Sequence, residues 1–130
     1  MKHYNVVAAV VCHDGKYLCM QKGKTKFEYT SYKWEFPGGK IEPGETPQQA
    51  LARELMEEME YPVEVGEELV TVNHEYPDFS ITMIAFLCTP KGDADGFKRR
   101  EHADSKWCSK DELKGLNWAA ADIDVVEGIL

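Results

Sequence analysis

Apolar residues run almost unbroken from position 4 to 12 (YNVVAAVVC). That run is too continuous for a half-exposed strand and predicts a central strand covered on both faces. Asp14-Gly15 carries a tight-turn signature and residues 17–21 return as a second strand, so a hairpin is expected. A polar stretch with Lys22, Lys24, Lys26 and Lys33 follows. Trp34-Glu35-Phe36 reads as a short strand, because Pro37 holds Phe36 extended, and Gly38-Gly39 as a glycine-rich turn. Residues 47–59 contain no helix breaker beyond their first turn. Thr46 is the expected N-cap, with Pro47 at the first helical position and Gln49 completing a capping box. At about 100° per residue, Leu51, Ala52, Leu55, Met56 and Met59 share one arc, while Arg53, Glu54, Glu57 and Glu58 oppose them with Ala50 in their midst. Residues 63–74 and 79–89 read as strands around a turn at Tyr76-Pro77-Asp78, and 91–100 as a loop. Asp93 and Asp95 hint at a calcium loop, but no ligand follows at the required spacing, so they are expected to form only a turn. Residues 105–108 read as a last strand and 110–114 as a short helix capped by Ser109. Residues 120–130 read as a closing helix with Ile123, Val126, Ile129 and Leu130 on one face. The order predicts one α/β domain over residues 1–130, with a mixed sheet between helices.

Composition narrows the function classes. The chain has 130 residues, 43% of them hydrophobic, enough for a real core. A net charge of −8 argues against gripping a nucleic-acid polymer or an anionic membrane through the overall field. It still permits a small polyanion bridged by metal ions. Cys12, Cys19, Cys88 and Cys108 form no C-x-x-C pair and no zinc spacing, so they are expected to pack as small apolar groups in a reducing cytosol. No signal peptide or long apolar span is read in the chain, and a cytoplasmic protein is expected.

Glu54, Glu57 and Glu58 stand at i, i+3 and i+4, where like charges repel. One reading is a solvated acidic face steadied by the Arg53–Glu57 pair. The other adds Glu45, just before the cap, and backbone carbonyls at Gly38-Gly39. Hard divalent cations take oxygen ligands of this kind, and a cation would offset the repulsion.

Gly39, Glu45, Arg53-Glu54-Leu55 and Glu57-Glu58 resemble the Nudix box in identity and spacing, so that the box spans 39–61 here. Glu60 replaces the box's later glycine, a residue suited to a left-handed helix end, where a side chain costs roughly 1 kcal/mol. The run 35–42 (EFPGGKIE), followed by Gly44-Glu45-Thr46-Pro47, resembles the MutT type. Glu101-His102, Trp107-Cys108-Ser109 and Ala121-Asp122-Ile123 resemble its bacterial CTP pyrophosphohydrolase branch. The resemblance implies a Nudix α/β/α sandwich. It also implies magnesium-dependent hydrolysis, with manganese as a substitute, of a modified, oxidised or CTP-like nucleoside triphosphate to the monophosphate and pyrophosphate, by a monomer or weak dimer.

By the same resemblance, Glu57, Glu58 and the Gly38 carbonyl are metal ligands. Glu54 binds metal or takes a proton from the attacking water, and Arg53 orients the carboxylates. Glu45 and Glu101 complete the shell, the other reading of Glu101 being a loop charge paired with Arg100. Asp122 would read the base, or else cap the last helix; an aspartate rather than MutT's asparagine argues against narrow 8-oxoguanine specificity. Phe36 and Phe79 would be stacking surfaces or plain core. Lys22 would meet phosphate as part of a basic flap, or lie in a solvated loop. Two alternatives stay open. One is a Nudix hydrolase of another diphosphate-linked substrate, such as a nucleotide sugar or ADP-ribose. The other is a nucleotide-binding regulator, against which the intact Glu54, Glu57 and Glu58 argue.

Overall fold

In the computed structural model, which describes residues 1–130, the apolar run forms β1 (Lys2–His13) at the centre of the sheet. It runs parallel to β6 (Phe79–Pro90), from Lys2 opposite Phe79 to Val11 opposite Cys88. The outer neighbour of β6 is antiparallel β5 (Val63–Glu75). On its other edge β1 takes the short antiparallel strand β4 (Gly38–Lys40), and beyond it turns into β2 (Lys16–Lys22). The hairpin tip holds Asp14 at φ 51° and Gly15 at φ 74°, the left-handed pair that an Asp-Gly turn supplies. β2 carries β3 (Trp34–Glu35) and β7 (His102–Cys108), both antiparallel to it.

Alternate residues of β1 feed two cores. Val7, Ala9 and Val11 pack with Leu51, Leu55 and Met59 of α1 (Pro47–Met59), while Ala8 and Val10 pack with Val125, Val126 and Ile129 of α3 (Ala120–Ile129). Leu113 of the short α2 (Lys110–Leu113) joins the second core. The result is the expected mixed sheet between helices. No helix is long and apolar enough to cross a membrane. All four cysteines are free thiols.

The structure corrects several expectations. Gly38-Gly39 is strand β4 rather than a turn, because Gly38 and Gly39 pair with Ala8 and Val7. Only Gly fits at 38, where a Cβ would come 1.9 Å from the Val7 carbonyl oxygen. In α1 the buried residues are Ala50, Leu51, Leu55 and Met59, and Met56 is 47% exposed. The packed arc is therefore rotated towards Ala50, which leaves Glu54 and Glu58 at its half-buried rim. In α3, Ile123 is exposed, as is Leu130 just beyond its end, and Ala121, Asp122, Val125, Val126 and Ile129 are buried. Glu60 adopts the left-handed conformation a glycine would have taken, at φ 48° and ψ 43°, and its carboxylate meets Lys98 and Arg100.

Candidate active site

The carboxylates of α1 are organised by one side chain. Arg53 uses all five of its N–H donors. Nε and one terminal nitrogen grip Glu45 at 2.6 and 2.9 Å and reach the Lys40 carbonyl at 3.0 Å, while the other terminal nitrogen donates to Glu54 at 2.9 Å and Glu57 at 3.1 Å. The planar guanidinium suits such a fork, which lysine could not reproduce. Glu45 is held below the usual carboxylate range by its Arg53 hydrogen bonds, helped by the Glu42 N–H. Both Glu45 oxygens are therefore taken up by the helix–loop junction. The capping box predicted at Thr46 is present, with Thr46 Oγ1 accepting from Gln49 N–H at 3.1 Å. It fixes the first turn of α1 above β4.

Glu58 has no such partner. Burial pushes its carboxyl up to about 8, with further push from Glu54, Glu35 and Glu101. Glu101 thus lies close enough to bear on Glu58, although it precedes β7 in a loop. It does not pair with Arg100, which instead meets Glu60 and donates to the Glu57 carbonyl at 3.2 Å. Gly39 lies directly against Glu54: a Cβ there would come 2.3 Å from the carboxyl carbon. No three His, Cys, Asp or Glu side chains close into a complete cage. Crowded carboxylates beside close-approaching backbone, with Glu58 lacking a basic partner, are nevertheless the donor set a magnesium ion uses, since it keeps several waters and takes only a few protein oxygens.

Beyond β4, on the α3 side of the sheet, opens a cavity of about 970 Å³. Its floor is Tyr4, Val6, Ile81 and Met83, and its rim next to the carboxylates is Gly38, Gly39 and Lys40. Residues 22–33 form the wall, and they are not the simple basic loop the lysines suggest. A 3₁₀ turn (Glu28–Thr30) sets Phe27 against Phe79 (ring centroids 5.8 Å apart) and Tyr29 against Tyr76 (5.9 Å). Tyr29 Oη also donates to Asp78 at 2.8 Å. Phe79 is thus part of an aromatic column lining the cavity. Phe36 is 3% exposed and stacks on Trp118 at 4.8 Å, with one edge towards the same space.

Asp122 closes the inner end. It does not cap α3, whose N-cap is Ala119 without a side-chain bond. The segment before α3 is strapped to β3, with Trp34 N–H donating to Asn117 O at 2.9 Å and Ala119 N–H to Trp34 O at 2.8 Å. That strap brings Asp122, in the first turn of α3, to accept from Phe36 N–H at 3.0 Å. Its carboxyl is 5% exposed and is raised well above the usual range by burial and then by Glu35.

Glu35 carries no role in the sequence reading, yet it sits between the two regions. Its oxygens meet Lys22 Nζ at 3.4 Å and His102 Nε2 at 3.0 Å, and its charge bears on both Glu58 and Asp122. Lys22 lines the cavity through this ion pair. The available signal was the register of three short strands, which spacing along the chain does not encode.

Residues 1–127 match the NUDIX domain. The CTP pyrophosphohydrolase of Escherichia coli K12 is 36% identical over 131 residues, covering 100% of this chain and 93% of that protein. The 8-oxo-dGTP diphosphatase of Proteus vulgaris is 41% identical over 88 residues, covering 68% of this chain and 78% of its own. Among solved structures, the MutT protein of methicillin-resistant Staphylococcus aureus 252, a Nudix family hydrolase, aligns with a TM-score of 0.75 and 39% identity. That alignment covers 99% of this chain and 97% of the neighbour.

Proposed function

The chain belongs to the NUDIX family of hydrolases, and on that premise we propose that it is a magnesium-dependent nucleoside triphosphate pyrophosphohydrolase. Its substrates are CTP-like or modified triphosphates, split between the α- and β-phosphoryl groups into monophosphate and pyrophosphate. The observation that carries this reading is the adjacency, across Gly38-Gly39, of the α1 carboxylates and a cavity ending in Asp122. The names of the relatives from E. coli and P. vulgaris support the same substrate class.

Glu57, Glu58 and the Gly38 carbonyl would hold the metal, with Glu54 and Glu101 completing its surroundings. Magnesium bound there supplies charge neutralisation on the phosphates and alignment of the attacking water. Glu54, half-buried and tethered by Arg53, would take the proton that this water sheds. Glu45 serves as the anchor that fixes Arg53. The nucleoside enters the cavity between the aromatic column and the sheet. Asp122, with one oxygen engaged by Phe36 N–H, offers the other to the base.

The test is a panel of NTPs, dNTPs, 8-oxo-dGTP, 5-hydroxy-CTP, ADP-ribose and UDP-glucose with magnesium, scoring pyrophosphate and monophosphate separately. Pyrophosphate release from triphosphates is expected, and Glu57→Gln is expected to lower it at least about a hundredfold without unfolding the protein. Cleavage of only the diphosphate-linked compounds would move the chain to a nucleotide-sugar or ADP-ribose reaction. Tight nucleotide binding without turnover would make it a regulator.

A further inference from the structure

His102 is buried, its side chain only 4% exposed, and one of its ring nitrogens, Nδ1, has no hydrogen-bond partner. A buried polar atom left unpartnered costs stability, and an apolar side chain would avoid that cost. What the ring provides is Nε2, 3.0 Å from Glu35 Oε2. The carboxylate accepts, so Nε2 carries the proton.

The backbone is arranged for this contact. β2 and β7 pair in regular register from Tyr17 opposite Cys108 to Gln21 opposite Asp104, but the next pair is Lys22 opposite His102. Ala103 is left over as a bulge. Side chains alternate along a strand, so without the bulge Ala103 would oppose Lys22 and His102 would point to the other face. Glu35 lies opposite Met20 on β2, two residues before Lys22, and therefore shares its face. The bulge thus brings His102 onto the face of Glu35, where His102 and Lys22 each hold one carboxylate oxygen.

So held, Glu35 lines the cavity with its charge bearing on Asp122. We propose that His102 is a positioning residue for substrate selection. Through Glu35 it sets a fixed hydrogen-bond acceptor at the inner end of the cavity, beside the Asp122 carboxyl. An acceptor there matches a nucleobase edge bearing an exocyclic amine, which offers two N–H donors, whereas an oxo-bearing edge offers only its ring N–H. This inference rests on the triphosphate reading above.

The test compares kcat and KM for nucleotides that exchange the amine for an oxo group, and with it the adjacent ring-nitrogen acceptor for an N–H: CTP with UTP and ATP with ITP. Wild type is expected to favour the amine-bearing member. His102→Leu is expected to reduce that preference about tenfold, the size of one hydrogen bond to a charged group, mainly through KM. His102→Gln, whose amide N–H can stand where Nε2 stands, is expected to retain it. Glu35→Gln is expected to reduce the preference as His102→Leu does, and combining the two should add nothing further. A merely structural role for His102 would lower turnover of all four nucleotides alike and would multiply with Glu35→Gln; either result overturns the proposal. An unchanged preference in Glu35→Gln also overturns it, and that variant stands in should His102→Leu fail to fold. Wild type that hydrolyses triphosphates without regard to the amine refutes this inference alone. Wild type that hydrolyses none refutes the triphosphate reading beneath it.

Discussion

Arg53→Lys tests the site most directly, because it keeps the charge and removes the fork. Lysine offers three donors from a single nitrogen. It cannot at once grip both Glu45 oxygens, the Lys40 carbonyl, Glu54 and Glu57, which Arg53 reaches at 2.6 to 3.1 Å. At least two of the five bonds must go. The side chains involved are partly screened: Arg53 is 21% exposed, Glu45 18% and Glu54 14%. At about 0.5–1 kcal/mol net for each bond, the loss is about 1–2 kcal/mol. In a domain of this size that lowers Tm by roughly 5 °C. Turnover should suffer more than stability, since Glu54 and Glu57 lose their tether, and a misplacement of about 1 Å costs about a hundredfold. Thermal unfolding together with a pyrophosphate-release assay reads both effects. Glu45→Gln should act in the same direction, and the double variant should fall short of the sum of the single ones. An Arg53→Lys protein with Tm within about 2 °C and kcat within about threefold of wild type would refute the assignment of Arg53 as organiser of the carboxylates.

Four further outcomes are expected. Gly39→Ala places its Cβ 2.3 Å from the movable Glu54 carboxyl, so it should cut turnover about tenfold or more with little change in Tm. Gly38→Ala meets the Val7 backbone at 1.9 Å and should cost about 2–3 kcal/mol of stability, measured by urea unfolding. Asp122 is raised above its unfolded value by burial and then by Glu35, so the folded state holds its proton more tightly. Metal-free stability should therefore decline as pH rises from about 4 towards 8, and Asp122→Asn should flatten that slope. The Glu58 carboxyl, pushed up to about 8, must lose its proton to ligate a cation. Magnesium should thus raise Tm more at pH 8 than at pH 6, and calorimetry should detect proton release on binding.

What could be read from the sequence was what is local. Thr46, Pro47 and Gln49 define the start of α1 through contacts spanning three residues, and the capping box is found as expected. The Asp14-Gly15 turn is local in the same sense. Gly38-Gly39 misled because their intrinsic preference is for turns, whereas pairing with β1 makes them a strand. Ala50 and Met56 exchanged burial because the arc of α1 that faces the sheet is fixed by docking on Val7, Ala9 and Val11, not by periodicity alone. Asp122 looked like a helix cap because the strap from Trp34 to Ala119, which starts α3 earlier, joins residues 85 positions apart. Phe27 and Tyr29 were hidden in a lysine-rich stretch, and their partners Tyr76 and Phe79 lie on the far side of the sheet in sequence.

The carboxylates of α1 are chemically unequal although they are neighbours on one helix. Glu54 and Glu57 share a guanidinium, so their negative charge is compensated within the protein. Glu58 is left to face Glu54, Glu35 and Glu101 with burial against it, so it either keeps its charge at the expense of stability or gives the charge up by taking a proton. A fold selected for stability alone would place an apolar or smaller residue there, since the position is half-buried on the packed edge of α1. The same inequality recurs across β4, where Glu35 is compensated by Lys22 and His102 while Asp122 is buried with only a backbone N–H. Each region thus pairs a fixed, compensated carboxylate with an uncompensated one. The uncompensated member is the one that gains most from an incoming partner: a cation beside Glu58, a hydrogen-bond donor beside Asp122. On the proposed reading, a substrate and a metal would supply those partners at the two ends, so binding should tighten the site and stabilise the fold in one step.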